Sequence, residues 1–303
     1  MKNVAHSVRD RLLQHAKQKQ QTFQFTLIRY GMERFLYRLM RSPHAKSFVL
    51  KGGSLFLAWT GESYRVTKDI DLLGMFPLER TMIGAVFSDI CAQDTTQIDG
   101  LVFDAQTIQI TDIKENDKYK GLRIQLRCRL QNARIPIQVD IGFGDAITPE
   151  AVHTSFPCLL GGEVRIEKSY PMYTVVSEKL ETMVSKGISN SRMKDFYDVW
   201  LISRRFELEG GLLQQAVTAT FQRRATPIFS AIPLCFTPDF FQDKQKQRQW
   251  SAFMKTHQPN PVEADFSIVM QDIRAFLHPV WRSIVFTEEL PACWHCGWRE
   301  QGD

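Results

Sequence analysis

Lys51-Gly52-Gly53-Ser54, followed after a spacer by Asp69-Ile70-Asp71, restricts what this chain can fold into more than any other stretch. Ser47-Phe48-Val49-Leu50-Lys51 carries an aromatic and a β-branched residue and stops at two glycines, which predicts a strand running into a tight turn. Residues i and i+2 of a strand share a face, so Asp69 and Asp71 project together about 6.6 Å apart. At an effective dielectric near 20 they repel by about 2.5 kcal/mol, a cost that a divalent cation removes. A Gly-Gly-Ser turn entering a helix lets backbone N–H groups and a hydroxyl approach phosphate oxygens closely. Together the two halves describe a site for a metal-bound nucleoside triphosphate. Taken singly, each is common on ordinary surfaces, so a solvated hairpin stands as the other reading.

With 303 residues the chain can form one large or two medium domains, each with its own core. Apolar residues make up 44% and charged residues 23%, an ordinary globular composition, and the net charge of +5 permits a polyanionic partner without requiring one. No apolar run approaches the roughly 18 residues of a membrane span, and Met1-Lys2-Asn3-Val4 opens a polar stretch instead of a signal peptide. A cytoplasmic protein with no membrane partner is expected. The six cysteines, Cys91, Cys128, Cys158, Cys235, Cys293 and Cys296, show no disulfide pattern and are expected to be reduced and mostly buried. Cys293 and Cys296 have metal or redox spacing but no second pair beside them, so a frayed tail is favoured over a structural zinc.

Residues 7–19 and 24–41 read as helices, the second with Phe25, Ile28, Met32, Phe35, Leu36 and Leu39 on one stripe and Ser42-Pro43 ending it. A short helix over Leu55–Trp59 and another over Leu78–Ala92 flank the Asp-x-Asp strand. From about 100 to 145 the period becomes two. Leu122, Ile124, Leu126, Cys128 and Leu130 alternate with Arg123, Gln125, Arg127 and Arg129, a half-buried strand with a basic outer face. A turn at Asn132-Ala133 leads to a partner strand in which Ile135, Ile137, Val139 and Ile141 face inward, so Asp140 faces the other way. Asp140 is either a third metal-binding carboxylate on a neighbouring strand, as two-metal chemistry needs, or a solvent-facing residue. Asp145, after Gly142-Phe143-Gly144, reads as a turn residue.

Residues 146–172, with three prolines and Gly161-Gly162, read as a connection to a mostly helical second half, giving domains at 1–160 and 161–303. Val176, Leu180, Met183 and Val184 mark a helix with Lys179 at its edge, and Asp195, Val199, Ile202 and Phe206 put Asp195 on the inward line of the next. A buried lysine and a buried aspartate need partners. Either they pair with each other, or Lys179 meets a triphosphate that Asp195 helps to orient. Further helices are expected at 211–223, 238–256 and 264–278, and Asp243–Arg248 is a charge run on the second, either an RNA contact or a wet face.

Lys51-Gly52-Gly53-Ser54 with Arg65-Val66-Thr67-Lys68-Asp69-Ile70-Asp71-Leu72-Leu73 resembles the first motif of the nucleotidyltransferase superfamily, and more narrowly the AbiEii/AbiGii toxin family of abortive-infection toxin–antitoxin pairs. Glu178-Lys179-Leu180 and the segment Asn190–Asp198 resemble later motifs of the same family, and the resemblance extends to about residue 280. The spacer Leu55–Lys68 is somewhat longer than is common in the superfamily. The resemblance implies an α+β fold: a nucleotidyltransferase-like mixed sheet with flanking helices, then a helical half that completes the cleft. It implies transfer of a nucleoside monophosphate from a Mg²⁺-bound triphosphate to RNA, with the tRNA 3′ end the favoured acceptor, and a separately encoded antitoxin. Asp69, Asp71 and Asp140 would hold metal, Gly52, Gly53, Ser54, Arg65 and Lys68 would hold the nucleotide, and Lys179 and Asp195 would complete the catalytic set. A small-molecule acceptor and a nucleotide-binding regulator without turnover are the competing readings.

Overall fold

Strict alternation of apolar and polar residues builds the largest feature of the structure, a computed structural model that describes residues 4–62, 67–77, 79–116, 119–257, 265–290 and 292–300. In chain order the first part holds α1 (Val4–Gln18), α2 (Phe23–Arg41), β1 (Phe48–Lys51), α3 (Ser54–Thr60), β2 (Ile70–Gly74), α4 (Arg80–Ala92), α5 (Thr96–Asp99), β3 (Leu101–Asn116), β4 (Tyr119–Leu130), β5 (Ala133–Phe143), β6 (Val152–Pro157) and β7 (Glu163–Ser169). Its seven strands form one sheet in the order β3-β4-β5-β2-β1-β7-β6. The β2–β5 and β1–β7 pairs are parallel and the remaining pairs antiparallel, so the sheet is mixed, as expected.

One face of that sheet is dry. Leu122, Ile124, Leu126, Cys128 and Leu130 of β4 are at most 2% exposed, and so are Ile135, Ile137, Val139 and Ile141 of β5. Helix α2 lies against β5 and β7, its first turn capped by the Thr22 hydroxyl, which accepts from the Phe25 N–H. Phe35 from its apolar stripe stacks on Phe87 of α4 at 5.4 Å, and Phe48 of β1 meets the same ring edge-on. Each ring of this kind stabilises the fold by roughly 1.5–3 kcal/mol through burial. Arg38, also on α2, is fully buried and donates to both oxygens of the buried Asp99 carboxylate and to the Leu101 carbonyl, which ties the helix to the start of β3.

Residues up to Gly144 together with Val152–Ser169 form one unit, and Asp145–Ala151 with the chain from Tyr170 onward form a second. The stretch 146–172, expected as a connection, carries the β6–β7 hairpin instead. Val164 and Ile166 of β7 are buried, and Ser169 pairs in parallel with Leu50 of β1, so the division falls after Ser169 and not at 160.

The second unit is mostly helical: α6 (Met172–Lys186), α7 (Met193–Arg205), β8 (Leu208–Glu209), α8 (Gly210–Arg223), α9 (Pro238–Phe241), α10 (Lys244–His257), α11 (Phe266–Phe286), β9 (Ala292–Trp294) and β10 (Trp298–Glu300). The single helix expected over 238–256 is broken because Asp243 caps a new one, its carboxylate accepting from the N–H groups of Gln245 and Lys246. Lys246 is not part of a wet face: it is 2% exposed and donates to the Asn190 carbonyl at 2.7 Å. Helix α11 runs through Pro279 to Phe286, with Val280 and Trp281 buried beyond the proline. Cys293 and Cys296 sit in the β9–β10 hairpin, which adds to β8, so the tail there is paired strand and not frayed.

Candidate active site

Three carboxylates converge because of strand pairing. β2 and β5 lie side by side in parallel with Asp71 directly opposite Asp140, and Asp69 precedes them on the same face as Asp71. Asp69, Asp71 and Asp140 each bring one carboxylate oxygen to within 4.8 Å of the others, and no other group of three His, Cys, Asp or Glu side chains among the described residues does so. At an effective dielectric near 20, two carboxylates that close repel by about 3–4 kcal/mol. Cys293, His295 and Cys296 form no such group. The His295 ring instead meets Glu207 at 2.6 Å.

The register extends the row in both directions. Lys51 of β1 is opposite Asp71, and Arg123 of β4 is opposite Asp140, so four strands present Lys51, Asp71, Asp140 and Arg123 in line. Arg123 grips both oxygens of Asp140, Nε at 2.9 Å and Nη2 at 2.7 Å. Those bonds hold its guanidinium above its ordinary pKa, with Asp69 and Asp71 adding to the effect. Arg123 is therefore committed to the carboxylate row and does not belong to the free basic stripe expected from the sequence.

Gly52 is required by the same row. Its φ is +74°, and a Cβ there would overlap the Asp71 carboxylate. Its first duty is thus to let Asp71 lie against the turn. Gly53 stands at the N-cap of α3 in a right-handed conformation, and the Leu55 N–H closes the turn on the Gly52 carbonyl. Ser54 is 5% exposed with its hydroxyl 3.5 Å from the Asp69 carbonyl, a long contact that links the turn to the aspartate strand. Lys68 is exposed, and Arg65 lies outside the described residues.

In the second unit Lys179 of α6 and Asp195 of α7 meet at 2.6 Å, and Asp198 takes the same ammonium at 2.9 Å. Arg192 donates to the other Asp195 oxygen at 2.7 Å. Burial alone would raise the pKa of Asp195, but Lys179 and Arg192 overcome it and hold the carboxyl well below the usual range. Asp145 is not a plain turn residue: Arg224 reaches it at 3.1 Å and also binds Glu181 and Glu178. Burial disfavours the charge on Arg224, yet these three carboxylates raise its pKa.

A family model described as the nucleotidyl transferase AbiEii toxin of type IV toxin–antitoxin systems matches residues 34–277, most of the chain. The chain belongs to the AbiEii family. It is accordingly a nucleotidyltransferase and a toxin of that system type. Two solved structures resemble this AbiEii protein. JHP933 from Helicobacter pylori is 13% identical, with 84% of this chain and 91% of that one covered and a TM-score of 0.47. A nucleotidyltransferase candidate from H. pylori gives 13%, 85%, 95% and 0.47. No curated protein matches the chain. No described helix is long and apolar enough to cross a membrane.

Nucleotidyl transfer by an AbiEii enzyme calls for a divalent cation, and the residues present fit one. The donor set is all carboxylate oxygen, the hard ligand type that suits Mg²⁺ or Mn²⁺, and the three oxygens already share one small volume.

Proposed function

We propose that this AbiEii protein transfers a nucleoside monophosphate from a Mg²⁺-bound nucleoside triphosphate to the terminal hydroxyl of an RNA, with the tRNA 3′ end the favoured acceptor. The convergence of Asp69, Asp71 and Asp140 on adjacent in-register strands is the observation that supports it most. Magnesium held there would neutralise the phosphates and sharpen the attacking hydroxyl. The acceptor oxygen bonds to the α-phosphorus as the bond to the β-phosphate oxygen breaks. Pyrophosphate leaves and the hydroxyl proton passes to water.

In this reading Asp69, Asp71 and Asp140 would hold the metal. The turn of Gly52, Gly53 and Ser54, together with Arg65 and Lys68, binds the triphosphate. Lys179, whose ammonium pairs with Asp195 at 2.6 Å, would also stabilise the triphosphate charge, with Asp195 orienting it. A separately encoded antitoxin and action in the cytoplasm complete the proposal.

Incubation of the protein with each α-labelled triphosphate, total RNA and Mg²⁺ tests it. Labelled RNA is the expected product. A labelled small molecule formed from cell extract would replace the acceptor, and nucleotide binding without any product would replace the enzyme with a regulator.

A further inference from the structure

The face of β4 and β5 that bears Arg123 and Asp140 borders a cleft of about 530 Å³, within the volume range of ligand pockets, to which Ile28, Leu126 and Ile137 add an apolar wall. Two residues along each strand from that pair, Gln125 and Gln138 stand opposite each other, and Gln109 of β3 stands opposite Gln125. Three carboxamides therefore lie in one row across three strands, a span of about 10 Å. The row starts a single pleat, about 6.6 Å, from the carboxylates. Beyond it come Arg127 and Gln106, and Lys68 also lines the cleft, one residue before Asp69 in the chain. Among the described residues, the side chains of Gln109, Gln125, Gln138 and Arg127 make no hydrogen bond or ion pair within the chain.

A row of amides carries donors and acceptors in equal measure, which suits the edges of unpaired bases, while Arg127 suits the phosphates that join them. Among the described residues the cleft is lined by amide, hydroxyl, basic and aliphatic side chains. We propose that this cleft receives the unpaired nucleotides immediately behind the acceptor hydroxyl of an RNA and reads their base edges through Gln109, Gln125 and Gln138. The proposal rests on the RNA-acceptor reading above and adds that the enzyme selects among terminal sequences. Arg127 then contributes affinity without selectivity.

The test uses short single-stranded RNAs that differ only in their last nucleotides, fluorescently labelled at the 5′ end, with binding read by anisotropy in the absence of metal and triphosphate. Wild-type protein is expected to prefer some 3′ sequences over others by about tenfold. Gln125→Ala combined with Gln138→Ala should abolish that preference, and Arg127→Gln should weaken all sequences alike and flatten the salt dependence by about 0.7 in slope. Wild-type protein indifferent to the terminal nucleotides, or variants that bind and discriminate as wild type does, would overturn the proposal. Transfer of α-label to RNA by the wild type, run alongside, separates the two levels. If RNA is labelled and the variants are silent, the cleft assignment fails and the function stands. If no RNA is labelled, the acceptor reading itself fails.

Discussion

Arg123 and Asp140 face each other across the β4–β5 ladder, and the guanidinium occupies both carboxylate oxygens at 2.9 and 2.7 Å. The pair places a fixed cation at one end of three carboxylates that repel one another. Arg123 is partly exposed at 41% and Asp140 is 15% exposed, so the pair by itself stabilises the fold by no more than about 1 kcal/mol. Its larger consequence is for the row. With Arg123→Gln, the carboxylates lose compensation, so melting temperature should drop slightly without metal and the stabilisation by saturating Mg²⁺ should exceed that of the wild type. Equal Mg²⁺-induced shifts in the two proteins would show that Arg123 does not offset the carboxylates.

Gly52 separates backbone strain from a steric demand. Gly61 has a similar φ of +71° but nothing within 4 Å of where a methyl would stand, whereas a methyl at Gly52 meets Asp71. Gly61→Ala should therefore cost only the left-handed backbone penalty, about 1–2 kcal/mol. Gly52→Ala should cost more and weaken Mn²⁺ binding because Asp71 must move. Denaturant melts and metal titrations on both variants decide it, and matching behaviour would remove the Gly52–Asp71 contact from the account.

How much of this was legible in the sequence differs residue by residue. Asp69, Asp71 and Asp140 were readable because a strand has period two, so parity alone puts each on a face. Arg123 was not, because its partner depends on where the hairpin turns. The residue with positive φ is Gln131, at 53°, and glutamine gives no turn signal. Placing the turn at Asn132-Ala133 shifts the register and hides the pairing with Asp140. The β6–β7 hairpin looked like a linker because Pro149, Pro157, Gly161-Gly162 and Pro171 punctuate the stretch, while the burial of Val164 and Ile166 depends on tertiary contact. Asp198 lies three residues after Asp195, on the same helix face, and that spacing could have revealed the second partner of Lys179.

Lys179 sits between Asp195 and Asp198 with 13% of its side chain exposed. Lys179→Ala removes the cation that Asp195 and Asp198 share, while Arg192 still holds Asp195, so the protein should be destabilised by at most roughly 3–5 kcal/mol. Below the resulting melting temperature, a role at the triphosphate predicts that turnover per folded molecule falls as well. Thermal melts alongside kinetics separate the two effects. A large loss of stability with unchanged turnover per folded molecule would confine Lys179 to holding α6 and α7 together.

Glu33 supplies a pH dependence. Arg29 approaches it at 3.2 Å and the Leu159 N–H donates to it at 2.9 Å, yet complete burial outweighs both and pushes its carboxyl up to about 7. Between about pH 4.5 and 7 the folded chain keeps a proton that the unfolded chain has lost, so this group makes stability fall as pH rises through that window. Glu33→Gln should remove the slope, and its advantage over wild type should grow with pH to at most about 3 kcal/mol above pH 7. Urea melts at pH 5 and pH 8 check this, and a difference between the two proteins that does not change with pH would contradict it.

The proposed role of Asp69, Asp71 and Asp140 is to hold the metal for nucleotidyl transfer to RNA. Its most direct measurement compares wild type with Asp71→Asn, each given RNA, Mg²⁺ and either α- or γ-labelled triphosphate. The account predicts that wild type places α-label and no γ-label on RNA 3′ ends. It predicts that Asp71→Asn loses at least about 100-fold of that rate, equivalent to roughly 3 kcal/mol, with no loss of melting temperature. Transfer of γ-label, or wild-type turnover by a folded Asp71→Asn protein, would contradict it.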